Sequence, residues 1–363
     1  MDENPTETLT RDLRFRFWLG GFAAFIVLLY LLRSILLPFV AGMAIAYLLD
    51  PLALRLQKWG LSRTWATVSI TLFFFVATVT VLVFLAPILQ DELIGFVQRV
   101  PGYVSQLVHR GAPLWGMAKR YLSPADIAKL RASAGDYAGT VIEWVAGFLA
   151  KLLTGSLALV NLLSLVFITP MVTFYLLRDW SGMTRHIDGL LPRRHATTIR
   201  QQLIAIDRIL SGWVRGQATV CLALGVIYGA GLSIVGLDLG LVVGLGAGVL
   251  SFIPFLGTIT GLVVGIGLAL AQSQDWTLAG EVAGVFIVGH LIEGNILAPR
   301  LVGDKIGLHP VWVIFALLAG GALFGFLGIL LALPVAAVIG VLVKFGTQQY
   351  LRSTLYSDGV SPG

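Results

Sequence analysis

Residues 281–334 read EVAGVFIVGHLIEGNILAPRLVGDKIGLHPVWVIFALLAGGALFGFLGILLALP, and this stretch decides the fold class. A nearly uncharged apolar run carries His290, Glu293 and Asn295 close together, and a short loop with Arg300, Asp304 and Lys305 follows. A second apolar run comes next, broken by Gly320, Gly321, Gly325, Gly328 and Pro334. Runs of this length and apolarity are what a bilayer demands of a helix. An ionisable side chain is costly in hydrocarbon, so a carboxylate placed there is a functional candidate by default. Paired, interrupted helices around a polar spot are also how transporters build a site at mid-membrane.

The rest of the chain agrees. Of its 363 residues 57% are hydrophobic and only 12% charged, against about 25% charged in soluble domains. The composition therefore predicts an all-α, polytopic helical membrane protein. The opening MDENPTETLT is acidic and polar, so no cleaved signal peptide is expected. The single Cys221 lies in an apolar run, which rules out a disulfide within the chain and predicts a buried, inert thiol. The net charge of +6 sits in loops beside the apolar runs. There it sets membrane orientation, and no nucleic-acid partner is expected.

Residues 1–89 are expected to hold a cytoplasmic tail and three spans, at 15–32, 35–49 and 65–89. Arg11, Arg14 and Arg16 precede the first, and Asp50-Pro51 is expected to end the second, because the residue before proline is pushed out of the α region. From 90 to 151 the composition changes. Leu93, Phe96, Val97, Val100, Val104, Leu107 and Val108 recur at helical spacing, and Ser123-Pro124 reads as a helix start. This unit is expected to be an extracytoplasmic amphipathic helical segment. A fourth span is expected at 152–177.

Residues 178–215 hold seven arginines against three aspartates, a net of +4, in a segment short enough for the positive-inside rule. They predict basic cytoplasmic interfacial helices, with Arg193, Arg194, Arg200 and Arg208 facing lipid headgroups. Residues 216–347 form the expected C-terminal transmembrane core, and 348–363 a cytoplasmic tail. Within the core, 240–252 and 256–271 are short for spans, so two thin spans or a re-entrant hairpin fit equally. The glycine-broken 311–344 poses the same choice. Counted from the N-terminus, both termini fall in the cytoplasm, with roughly seven to ten crossings or re-entrants.

His290 and Glu293, three apart, share a helix face. Low dielectric disfavours a charged carboxylate, which suits proton exchange or cation coordination during transport. With Asn295 and Gln217 they form the expected substrate or ion path; a packing network or a helix end at the headgroups remains open for Glu293. Pro254, Gly257, Gly261, Gly320, Gly321, Gly325, Gly328 and Pro334 are expected gating or hinge positions, with close helix packing as the alternative. HxxE is half of a metal motif, but no second His or Cys cluster accompanies it, so no metal is expected. Glycines 244, 246 and 248 imitate a nucleotide fingerprint without the strand it requires. No catalytic motif or P-loop occurs, so neither an enzyme nor an ATP-driven pump is expected, and no cofactor.

AYLLDP (46–51), FYLLRD (174–179), WVRGQ (213–217), FIPFLGTITG (252–261), EGNILAPRLVGDKIGLHP (293–310) and GGALFGFLGILLALPVAA (320–337) stand in this order along nearly the whole chain. In this the chain resembles the autoinducer-2 exporter-like, PerM-type permease family. The resemblance implies about eight transmembrane helices in the inner (plasma) membrane and a homo-oligomer, pentameric in form. It carries over best to Gln217, Pro254, Gly257, Glu293, Asn295, Pro299 and Pro310. It implies export of a small furanone-type quorum signal or, in some members, sodium/proton antiport. The expected function is thus a secondary permease exporting a small polar solute. Na⁺(Li⁺)/H⁺ antiport is the alternative, and a non-transporting oligomeric membrane scaffold a second.

Overall fold

The computed structural model describes residues 35–118, 156–273, 275–302 and 309–353, with 20, 21, 24, 27–32 and 356 besides. The expectations for Arg11, Arg14, Arg16, Ser123, Asp304 and Lys305 lie outside the described residues. Among those described, the regular structure is helical: α1 Leu36–Lys58, α2 Arg63–Ala118, α3 Ser156–Leu190, α4 Ala196–Ile234, α5 Gly240–Leu250, α6 Leu256–Gln272, α7 Thr277–Ile292, α8 Pro310–Phe324 and α9 Phe326–Leu351. Helix α7 runs on into a π-helical stretch, Glu293–Val302. Among the described residues five stretches are long and apolar enough to cross a membrane: α1, Arg63–Phe96 of α2, α4, Thr277–Leu301 and α9. The chain is an all-α polytopic membrane protein.

Two helices run further than the sequence suggests. Helix α1 does not stop at Asp50 but continues through Pro51. Proline removes the N–H that would bond the carbonyl four residues back, here that of Tyr47. Arg215 on α4 donates Nε to that carbonyl at 2.8 Å, so the orphaned acceptor is satisfied from outside the helix. Helix α2 is 56 residues long, about 84 Å at 1.5 Å per residue. The amphipathic pattern that begins at Leu93 is therefore a continuation of the third span rather than a separate helix.

The larger core is built on α4. Val220, Leu224, Tyr228 and Leu232, four apart, form one buried ridge against Leu237, Ala247, Ala269, Ala279, Val282 and Phe286. The Tyr228 and Phe286 rings lie 4.6 Å apart. Helices α4 and α5 meet antiparallel through glycines: a Cβ on Gly244 would land on the backbone of Gly229, and one on Gly248 on that of Gly225. Small residues let two backbones approach where the lipid offers no hydrophobic drive. A smaller core joins α1 and α3 through Ala46, Leu49, Ala53 and Leu177.

At 240–271 the chain folds as two short helices joined at a tip. Helix α5 has 11 residues, about 16 Å, and cannot cross a hydrocarbon layer of about 30 Å. The side-chain amide of Gln272, at the end of α6, accepts from Asp238 N and donates to the Gly236 carbonyl, both at 2.8 Å. Both feet of the α5–α6 pair thus stand together, and its tip is sunk in protein, with Phe252 edge-on to Trp213 at 5.2 Å. The pair is a helical hairpin laid along α4. Leu239 and Phe255, which open its two helices, hold left-handed φ of 60° and 68°, a conformation costing roughly 1–2 kcal/mol for a residue with a Cβ.

A second hairpin, α8–α9, turns at Gly325, whose φ of 62° and ψ of −138° suit glycine alone. Just below the turn Gly320 and Gly328 touch backbone to backbone. Replacing Gly325 by Ala should cost about 1–3 kcal/mol. A thermal melt of the purified protein in detergent would read this as a lowered midpoint; an unchanged midpoint would contradict the strained turn.

Candidate functional site

Glu293 sits where α7 loosens into the π-helical stretch. Pro299 lies inside that stretch, and in α geometry its ring would clash with the carbonyl of Asn295. Wider turns relieve such a clash, and in other proteins they gather at functional positions. The π-helical stretch packs along α4, with Leu297 and Leu301 against the main core. Glu293 is thereby half-buried, 21% exposed, on the side of the stretch turned to Cys221 and Tyr228 of α4.

His290 Nδ1 lies 3.6 Å from Glu293 Oε2. A protonated imidazole in this position forms an ion pair with the carboxylate; a neutral one leaves it alone in a half-buried setting. Asn295 is not part of this contact. It is exposed and donates Nδ2 to its own Leu291 carbonyl at 2.9 Å.

Gln217 also serves elsewhere. It is buried and donates Nε2 to the Ser251 carbonyl at 2.6 Å, which pins the tip of the α5–α6 hairpin to α4. Pro254 lies in that tip between Ile253 and Phe255. Of the expected hinge glycines, Gly257 is pressed against the backbone of Ala247 and Ser251, and Gly261 against the Phe286 ring and Ala247. Their small size serves contact between helices. Gly321 packs on Ile329, while Pro334 lies within α9 without ending it.

Changing Gln217 to Ala leaves the Ser251 carbonyl buried without its donor, at a cost of about 1–3 kcal/mol. Cys221, the only cysteine, lies one turn further along α4, where its carbonyl approaches Gly248. Alkylation of Cys221 by a membrane-permeant maleimide should therefore quicken several-fold in Gln217→Ala. An unchanged rate would mean that the tip is held without Gln217.

On the face that carries the basic loops, Arg193, Arg194 and Arg208 are exposed, while Arg200 is engaged by both oxygens of Asp188 at 2.9 Å. Arg178 grips Asp179 through two bonds of 2.8 Å, which hold that carboxyl below its usual range. A cluster that the sequence did not single out joins α1, α3 and α4. Tyr47 Oη donates to Asp207 at 3.1 Å, Arg63 pairs with Asp50 at 3.2 Å, and Arg63 also donates to the Leu177 carbonyl. No local spacing announces it, since Tyr47 and Asp207 are 160 residues apart.

A multi-pass helical bundle with short helical hairpins and a half-buried carboxylate at a helix irregularity has the architecture of a membrane transport protein. Comparison with known proteins agrees. The family model for AI-2E family transporters matches residues 19–348, and the chain belongs to that family. It is 32% identical over 324 residues to YrrI of Bacillus subtilis strain 168, which bears a provisional name as a transport protein, covering 86% of each chain. It is 26% identical over 317 residues to PerM of Escherichia coli K12, provisionally named a permease, covering 87% of this chain and 88% of PerM.

Proposed function

We propose that this protein is a proton-coupled secondary transporter that exports a small polar solute of the quorum-signal kind across the plasma membrane. The observation that carries the reading is the half-buried Glu293, paired with His290 at the point where α7 loosens into π-helical turns. An ionisable pair in a span is costly unless it does something, and a proton taken up or released there changes the charge that the bundle must hold. The two hairpins, α5–α6 and α8–α9, supply parts able to move against α4. In this scheme Gln217 holds the α5–α6 tip in one position, and Gly325 allows the turn of α8–α9. The same reading places both termini in the cytoplasm, because the arginine-rich loops lie on one face. It also has several copies assemble side by side, as the family resemblance implies.

A second reading is favoured by the same contact: exchange of Na⁺ or Li⁺ for a proton at the His290–Glu293 pair. Flux in proteoliposomes separates the two. Purified protein is reconstituted with a pH dye inside, and either a Na⁺ or Li⁺ gradient or a load of labelled furanone-type solute is imposed. Solute efflux accompanied by proton movement supports the first reading. Proton movement that needs only the cation supports the second. Vesicles that behave as empty ones under both gradients would refute both and leave an oligomeric scaffold.

A further inference from the structure

The cluster on the basic face encloses space. Tyr47, Asp50, Trp180, Asp207, Ser211 and Arg215 line a cavity of about 70 Å³ between α1, α3 and α4, open to one side. That is room for several waters, and so for the polar end of a small molecule. The Tyr47 and Trp180 rings stand edge to face with centroids 5.9 Å apart, and Ala46, Leu176 and Leu177 complete an apolar wall.

The polar groups are only partly used. Asp207 receives one bond through Oδ1 from the Tyr47 phenol, and Asp50 one through Oδ1 from Arg63. Arg215 spends Nε on the Tyr47 carbonyl. Among the described residues the second oxygen of each carboxylate and the terminal nitrogens of Arg215 have no protein partner. The charges nearly cancel, with two aspartates set against Arg215 on the wall and Arg63 behind Asp50. A bare cation would meet Arg215, and a bare anion would meet Asp50 and Asp207. The set suits an uncharged molecule that carries several hydroxyls: its O–H groups can donate to the carboxylates, its oxygens can accept from the guanidinium, and its C–H face can lie on an aromatic ring.

We infer that this cavity is a binding site for a small, uncharged, polyhydroxylated solute, and that it loads the transporter from the face of the basic loops. The binding claim stands on the cavity alone; the loading role rests on the export reading above. Neither Glu293 nor His290 lines the cavity.

Saturation-transfer NMR on the full chain in lipid nanodiscs tests it, with D-ribose and erythritol as probes and tetramethylammonium and acetate as ionic controls. The expected result is transfer to the two polyols and none to the ions. Asp207→Asn removes a charged acceptor worth a hydrogen bond of about 1.5–3 kcal/mol and should weaken D-ribose binding roughly tenfold or more. Gly246→Ala, outside the cavity lining and with open space around it, should leave that binding unchanged. Transfer to tetramethylammonium or acetate in place of the polyols would overturn the inference. So would an absence of transfer to either polyol, or D-ribose binding that survives both Asp207→Asn and Trp180→Ala. Should polyols bind while vesicles move no solute, the site stands and the export reading falls.

Discussion

In proteoliposomes, Glu293→Gln is expected to reduce substrate-driven or cation-driven proton movement to the level of empty vesicles, with the protein still folded. The amide keeps the shape of the carboxylate but can neither release a proton nor pair with a charged His290, now 3.6 Å away. A half-buried group gives up little packing in this exchange. A lost signal with an unchanged melting curve would therefore point to chemistry, not collapse. His290→Gln should act differently. It removes the partner but leaves the carboxylate, so transport should persist with an altered pH profile. Full proton movement in Glu293→Gln would show that the pair is a packing contact and that coupling, if present, lies elsewhere.

The largest structural effect is expected at Gly244. Any Cβ there would meet the backbone of Gly229 and Tyr228 on α4, and backbone cannot step aside as a flexible side chain can. Overpacking usually costs about 1–3 kcal/mol, and a wedge between two helix axes belongs at or above the top of that range. Gly244→Val should therefore yield little folded protein in detergent. Gly246 on the same helix is the internal control: nothing lies within 4 Å of where its Cβ would stand. Gly246→Val should melt like the parent. If both variants behave alike, the glycine contact between α4 and α5 does not hold the hairpin.

The sequence conveys whatever depends on neighbours along the chain. Apolar length gave the spans, and three-residue spacing put His290 beside Glu293. The glycines at 320, 321, 325 and 328 marked a break without saying which would turn; the turn falls at Gly325. What it could not convey depends on distant partners. Pro51 reads as a helix end because Arg215, which takes the Tyr47 carbonyl, lies 168 residues away. Gln217 reads as a path-lining group because nothing local reveals that Ser251 will face it. The Tyr47–Asp207 cluster was invisible for the same reason. The glycines of 244–265 were legible as small, but only their contacts separate close approach from flexibility.

Helix α2 touches both ends of the bundle. Near its start, Arg63 is bonded to Asp50 and to the Leu177 carbonyl. Further on, Arg99 pairs with Asp238 and Glu92 accepts from Val242 N, at the feet of the α5–α6 hairpin. The 36 residues between Arg63 and Arg99 span about 54 Å of unbroken helix. Such a rod is a lever. A tilt of about 10° pivoting at Arg63 would carry the far end through about 9 Å for that length. That is enough to pull the Asp238 corner and lift the hairpin by its base. One continuous helix thus holds contacts at both ends of the bundle on a single body.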